Sequence, residues 1–238
     1  MPDEDPLARE KDLAAHAAIR RIRPGMRVAL GTGSTAAFAV RALAEKIGPE
    51  VTAVASSTGT ENLARNLGLS VGPLLPNDAF DVMIDGADEV TPLLDLTKGG
   101  GGALFREKFL ARLAHEVVIM VDHTKLVSHL GTRSAIPIEV VPFARPVICE
   151  QLTAKRIGWA LRGGSGSGPG TLTENSNEIL DLRPPDRIED PERLERELRA
   201  IPGVVETGLF VGLTHRVYVG LPDGTVQEIV PAVAPKAA

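Results

Sequence analysis

Three short stretches carry residues suited to a phosphorylated substrate that must gain and lose protons: GTGSTA at Gly31–Ala36, DGADE at Asp85–Glu89 and KGGGGALFREK at Lys98–Lys108. In the first, the glycines allow close backbone approach. Ser34 and Thr35 add hydroxyl donors at a helix start, where unpaired amides favour an anion; Thr32 and Gly33 complete the turn. The letters also fit G-x-G-x-x-A, a form of the dinucleotide fingerprint. That use demands an acidic residue about 20 positions on, at the end of the second strand, to hold ribose hydroxyls. Ser56 and Ser57 stand there instead, and Glu61 comes only after the turn. A tight strand-to-helix turn capped by Ser34 or Thr35 is the account that needs no ligand.

Asp85 and Asp88 follow the apolar run of FDVMID, at the kind of strand end where parallel sheets open a ligand crevice. A DG turn and an Asp cap explain them without a ligand. Against that, three acids within five residues repel one another unless something there uses them, and such crowding can raise a carboxyl pKa and fit it to proton transfer. The four glycines after Lys98 cost backbone entropy on ordering and pack nothing. With a strand-like LLDL before them and an amphipathic helix after, they read as an anion-binding turn to which Lys98 adds a full charge, rather than as a linker. Glu107 reads as lying about two turns into that helix and, taken alone, as a solvated surface carboxylate.

These stretches need a frame that brings strand ends to one edge. RVALG, VTAVAS, FDVMID and EVVIMVD alternate with TAAFAVRALAEK, TENLARNLG and ALFREKFLARLA, the pattern of a parallel sheet built from βαβ units. A leading helix over 7–22 ends at RPG. Beyond residue 130 the order becomes IEVVP, PVICEQLTAKRIG, WALR, EILDL, PERLERELRAI, VVETGLF, which reads strand, helix, strand, strand, helix, strand. That is the ferredoxin-like arrangement. RVYVGLPDGTVQEIV reads as two strands about a PDG turn that return to the first domain. The expected fold is therefore α/β: a Rossmann-like parallel-sheet domain over 1–130 and 207–238, with a smaller ferredoxin-like α+β domain over 131–206. The segment GGSGSGPG, Gly163–Gly170, reads as a mobile surface loop, and the tail PAVAPKAA as frayed.

The formal net charge of −5 and the lack of a basic tract argue against nucleic acid or an anionic membrane surface as a partner. Cys149 is the sole cysteine, which rules out an internal disulfide and suits a reducing compartment, with the cytoplasm as the default. The first ten residues are acidic and lack the basic flank and apolar core of a targeting signal, and apolar runs such as VVIMV are far short of a membrane span. His16, His115, His123, His129 and His215 form no close helical pair with a third ligand, so no metal site is expected.

With GTGSTA, DGADE and KGGGGALFREK in this order and spacing, and IPIEVVPFA and IPGVVETGLF beyond them, the chain resembles the type A ribose-5-phosphate isomerases through nearly its whole length. The resemblance implies a cofactor-free aldose–ketose isomerase interconverting ribose 5-phosphate and ribulose 5-phosphate, as a homodimer or a tetramer of dimers. By matched position, Glu107 falls on the catalytic base. Thr32, Gly33, Ser34 and Thr35, then Asp85, Gly86, Ala87 and Asp88, then Lys98, Gly99, Gly100 and Gly101 fall on substrate loops. Lys125 in DHTK matches another substrate-contacting lysine, and Lys11 one that touches phosphate in relatives.

In the chemistry this implies, Glu107 carries a proton between adjacent sugar carbons, while Lys98 and the amides of Gly99–Gly101 stabilise the enediolate. Asp85 passes protons between oxygens and assists ring opening, Asp88 holds hydroxyls, and the GTGST turn grips the phosphate. The phenylalanine of FREK and the glycine-rich GGSGSGPG depart from the family pattern. Two other readings stay open: a non-catalytic sugar-phosphate sensor, which need not have kept Glu107, Asp85 and Lys98, and a nucleotide-dependent oxidoreductase, which Ser56 and Ser57 disfavour.

Overall fold

The structure, a computed structural model, describes residues 5–164 and 170–231. Most of the GGSGSGPG segment and all but the first residue of the PAVAPKAA tail lie outside the described residues. The chain opens with α1 (Ala8–Ala18), β1 (Arg27–Leu30), α2 (Ser34–Lys46), β2 (Thr52–Ala55), α3 (Thr58–Asn66), β3 (Ser70–Val71) and β4 (Phe80–Asp85). Two short strands, β5 (Glu89–Val90) and β6 (Leu96–Thr97), precede α4 (Leu104–Arg112) and β7 (Ala114–Asp122). Next come β8 (Ile136–Val140), α5 (Arg145–Ala154), β9 (Gly158–Leu161), β10 (Glu178–Arg183), α6 (Pro191–Arg199), β11 (Val204–Thr207) and β12 (Leu209–Phe210). The hairpin of β13 (Arg216–Gly220) and β14 (Val226–Ile229) closes the described chain.

By contact the chain divides into two units, the first made of residues up to Ala87, Arg106–Lys125 and Gly212 onward. Its sheet has the order β3-β2-β1-β4-β7-β13-β14, parallel throughout except for the last strand. Chain order reverses between β1 and β4, so the ends of these two strands form the switch point where doubly wound sheets take their ligands. The strands are apolar runs, buried at Val28–Leu30, Val82–Ile84 and Val117–Val121, as strands covered on both faces must be. Helices α1 and α2 pack with alanines, among them Ala14, Ala15, Ala18 and Ala39, whose small side chains allow close approach. The leading helix is shorter than its periodicity suggests: α1 ends at Ala18 and tightens into a 3-10 turn over Ile19–Arg21.

The second unit comprises Asp88–Phe105 and Leu126–Val211. Its larger sheet runs β11-β8-β10-β9, every pair antiparallel, and the element order β8-α5-β9-β10-α6-β11 is the ferredoxin-like one read from the sequence. Local signals start α6: the Asp190 carboxylate accepts from the Arg193 amide at 2.9 Å, and Pro191 occupies the first turn, where no amide is needed. Ile136, Ile138, Val140, Ile148, Leu152, Leu180 and Leu198 fill the core, each burial stabilising by about 1.5–3 kcal/mol. Cys149 packs among them, and burial pushes its thiol up from the ordinary value. Native protein at pH 7.5 is therefore expected to react with a maleimide far more slowly than unfolded protein, as mass spectrometry of timed aliquots can measure.

The unit boundary differs from the one expected at 130/131 and 206/207, because β5, β6 and β12 form a three-stranded sheet of their own. Leu209 and Phe210 pair with Thr97 and Leu96, which ties 88–105 and 207–211 to the ferredoxin-like unit. LLDL is not the strand it resembles. Leu94 takes a left-handed φ of 62°, its amide donates to Thr91 O at 2.9 Å, and only Leu96 enters β6. Among the described residues no helix is long and apolar enough to cross a membrane.

Candidate active site

In the first unit the site is built at the switch point. The Gly31 amide at the end of β1 donates to Ile84 O of β4 at 2.9 Å, which locks the two strand ends together. A side chain at residue 31 would put its Cβ 1.9 Å from Asp85 Cγ, so only glycine lets that carboxyl lie across the backbone. Asp85 is wholly buried, and its Oδ1 accepts from the Gly86 amide at 2.7 Å. Gly86 in turn faces Thr35, whose Cβ lies 3.4 Å from where a side chain at 86 would begin.

The hydroxyls of GTGST have divided tasks. Thr32 Oγ1 meets Ser56 Oγ at 2.7 Å and Ser57 Oγ at 2.8 Å, while Thr60 Oγ1 donates to Gly31 O at 2.9 Å. Ser56 and Ser57, at the position where a dinucleotide site needs an acid, are thus spent on fixing the turn. The cap of α2 is not Ser34 or Thr35 but Gly33, at a left-handed φ of 111°. With no cap bond to make, Ser34 Oγ accepts from Lys11 Nζ at 3.2 Å, and Gly33 and Ser34 are exposed beside the first-turn amides of the helix.

Lys11 also donates to Asp5 Oδ2 at 2.7 Å. That bond first, then the Leu7 amide, holds the Asp5 carboxyl below the usual carboxylate range, and the charges of Lys11 and Lys125 add to the effect. Lys125 sits on a 3-10 turn, His123–Lys125, fastened at both sides. Glu10 Oε2 accepts from the His123 amide at 3.2 Å and meets its Nδ1 at 2.6 Å, and Asp122 Oδ1 accepts from the Thr124 amide at 3.0 Å. Consecutive residues of α1 therefore anchor the turn carrying Lys125 and send an ammonium to Ser34. Two lysines, a hydroxyl and a helix N-terminus around one carboxylate make a setting for a doubly charged phosphoester.

Glu107 is placed differently from the expectation. Helix α4 starts at Leu104, so Glu107 lies in its first turn, near the positive end of the helix dipole, and it is 2% exposed rather than solvated.

In the second unit, Asp88 and Glu89 do not share one environment. Asp88 Oδ2 accepts from the Gly100 amide at 2.9 Å, whereas Glu89 is fully buried and accepts from Gly131 N at 2.7 Å, Ser134 N at 2.9 Å and Thr97 Oγ1 at 3.1 Å. Glu89 thus anchors a loop, and the crowding expected from its spacing is relieved by separate partners. Ala87, which ends the first unit's part of this stretch, is half-buried.

Lys98 is 3% exposed, with Nζ 5.5 Å from the Phe210 ring centroid and its amide donating to Gly208 O at 2.8 Å. Gly99 takes φ 110°, and a Cβ there would lie 2.7 Å from Pro137 Cγ. A Cβ on Gly100 would lie 2.8 Å from Asp88 Oδ1. Gly100 and Gly101 are exposed at the apex. Sequence reasoning missed Arg162 and Asp181, which hold this turn from the larger sheet and have no local motif to announce them. Among the described residues no cluster of histidine, cysteine and carboxylates is arranged to hold a metal.

Residues 52–224 match the family described as ribose 5-phosphate isomerase A (phosphoriboisomerase A). The chain belongs to that family. It is 42% identical over 226 residues to the ribose-5-phosphate isomerase A of Deinococcus radiodurans, covering 92% of this chain and 96% of that one. It is 44% identical over 223 residues to that of Chloroflexus aurantiacus, covering 92% of each. Among solved structures, a D-ribose-5-phosphate isomerase in complex with phospho-erythronic acid matches with a TM-score of 0.87 at 38% identity, over 92% of this chain and 97% of that one. Ribose 5-phosphate isomerase A from Methanocaldococcus jannaschii matches with a TM-score of 0.85 at 37% identity, over the same shares. The α/β architecture with its mainly parallel sheet is thus the architecture of the isomerase A family.

Proposed function

We propose a division of labour for the isomerase reaction in which Glu107 is the base that carries the proton. The reaction is that of the family, the interconversion of ribose 5-phosphate and ribulose 5-phosphate. It requires removal of a proton from the carbon beside a carbonyl, stabilisation of the enediolate, and return of the proton to the neighbouring carbon. A single carboxylate can do both transfers. The observation that carries the assignment is the burial of Glu107, since glutamate is among the residues least often taken out of water without a task.

Lys98 and the glycine turn supply fixed positive charge and amides for the developing anion, where such groups act most strongly. Asp85, held across Gly31, exchanges protons with the sugar oxygens, and Asp88 accepts from hydroxyls. Lys11, Ser34, Thr35 and Lys125 take the phosphate in place of Asp5, and so fix the carbons against the base. Phospho-erythronic acid, held by one relative, has a carboxylate that imitates paired enediolate oxygens and a phosphate that imitates the substrate's. The scheme needs no cofactor and no metal. The protein is read as a homodimer or a tetramer of dimers in the cytoplasm, with the sugar phosphate as its ligand.

Purified protein with ribose 5-phosphate, chelator and no added cofactor should produce ribulose 5-phosphate; no product under these conditions would refute the scheme. Lys11→Met should raise KM about tenfold with kcat within about threefold, because a phosphate contact is made equally in ground and transition states. A fall in kcat alone would place Lys11 in the chemistry instead.

A further inference from the structure

The glycine turn has one bond of its own, from the Gly102 amide to Gly99 O at 3.0 Å; successive glycines leave the Gly100–Gly101 peptide plane to be set from outside the turn. That outside hold comes from a guanidinium. Arg162, the first residue beyond β9, pairs with the Asp181 carboxylate of β10 through two nitrogens, Nε at 3.0 Å and Nη2. Its third nitrogen, Nη1, donates to Gly99 O at 2.6 Å and to Gly100 O at 3.2 Å. Arg162 is itself secured, since its amide donates to Ile179 O at 3.0 Å and its carbonyl accepts from Thr171 N at 2.9 Å.

A peptide is planar and trans, so a held carbonyl aims the amide on the other side of the same bond. Fixing Gly99 O directs the Gly100 amide to Asp88, where it is bound at 2.9 Å. Fixing Gly100 O directs the Gly101 amide away from Arg162. Asp181 neutralises most of the guanidinium's charge and presents its fork in one orientation, so the pair acts through geometry more than through its field.

We propose that Arg162, backed by Asp181, is a positioning residue of the isomerase: it sets the peptide planes of Gly99–Gly100 and Gly100–Gly101, and so aims the Gly101 amide at the anion that forms on the substrate. This rests on the reading that the Lys98–Gly101 turn stabilises the enediolate. The guanidinium and Gly100 line a cavity of about 620 Å³ with Trp159, Arg183 and Asp88, which gives a small cation room to replace a deleted side chain.

The test uses the full-length chain, with circular dichroism to confirm folding. Arg162→Ala should lower kcat about 10- to 100-fold, part of the loss expected on deleting an anion-binding amide, with KM for ribose 5-phosphate within about threefold. Its affinity for phospho-erythronic acid should fall by a similar factor. Ethylguanidinium should restore several-fold of the lost kcat, and Asp181→Asn should lose about three- to tenfold. Arg162→Lys, able to reach one carbonyl, should fall between the alanine variant and the parent.

A kcat within twofold of the parent in folded Arg162→Ala, a loss confined to KM, or a loss that ethylguanidinium leaves untouched would each overturn the proposal. If Arg162→Ala is recovered unfolded, Arg162→Lys and Asp181→Asn decide by the same split between kcat and KM. Lys98→Met separates the two claims: parental kcat there removes the anion-stabilising turn itself, whereas a large loss there with parental kcat in Arg162→Ala removes only the positioning role.

Discussion

Glu107→Gln lowers kcat by about 10²- to 10⁴-fold while KM stays within about tenfold, the loss that follows from removing a general base and leaving the substrate's grip intact. The substitution keeps shape and removes only the ability to hold a proton, so a folded variant isolates the chemistry from the packing of α4. A coupled assay for ribulose 5-phosphate measures the rate. Deuterium uptake from D₂O into the sugar carbons measures the transfer directly and should fall with it. Parental turnover in the variant would take Glu107 out of the mechanism. Uptake that persists while net isomerisation fails would make it an accessory to some other base.

Gly31→Ala should be severely damaging for a single added methyl. Its Cβ would stand 1.9 Å from Asp85 Cγ, at two adjacent strand ends that the Gly31–Ile84 hydrogen bond holds together. Neither backbone can give way cheaply, so the carboxyl must turn out of its buried place or the strands must part. Overpacking of this kind typically costs 1–3 kcal/mol, and with strand ends tied on both sides a loss of about 3 kcal/mol is expected, read as a shift in the denaturation midpoint. Turnover should drop at least tenfold through the displaced Asp85. Combining it with Asp85→Ala removes the clash and should recover most of the stability without recovering activity. Simple addition of the two single-variant losses would mean that the methyl is accommodated elsewhere.

Much of this was legible in the sequence because the signals were local. Periodic helices between apolar runs gave the parallel sheet, and the strand and helix order after residue 135 gave the ferredoxin-like unit, punctuated by residues such as Asp190 and Pro191. GTGST at the end of β1 and Asp85 at the end of β4 were readable as a crevice for the same reason. What escaped depends on partners distant in sequence. Strands of two residues such as β5, β6 and β12 are too short to carry a periodicity, and one of the two neighbours that pair with Leu96 and Thr97, Leu209–Phe210, lies more than a hundred residues on. The burial of Glu107 is set by what packs over α4, so a glutamate in a helix looks solvated until the surroundings are known. Asp85, Asp88 and Glu89 looked crowded because spacing counts charges and does not reveal that Glu89 turns to the amides of Gly131 and Ser134. Arg162 reaches Gly99 across 63 positions, a contact that no motif encodes.

The place of β13 constrains how the protein is made. This strand lies parallel beside β7, yet it follows the whole of the ferredoxin-like unit in the chain. A nascent chain leaving the ribosome therefore presents β7, with its buried run Val117–Val121, about a hundred residues before the neighbour that covers its edge. The second unit is complete in the chain once Val211 has been made, since its other segment, Asp88–Phe105, is synthesised earlier, whereas the first unit still lacks everything from Gly212 onward. Until Gly220 has been synthesised, the earlier sheet carries an open, apolar edge of the sort that chaperones bind and that aggregation exploits.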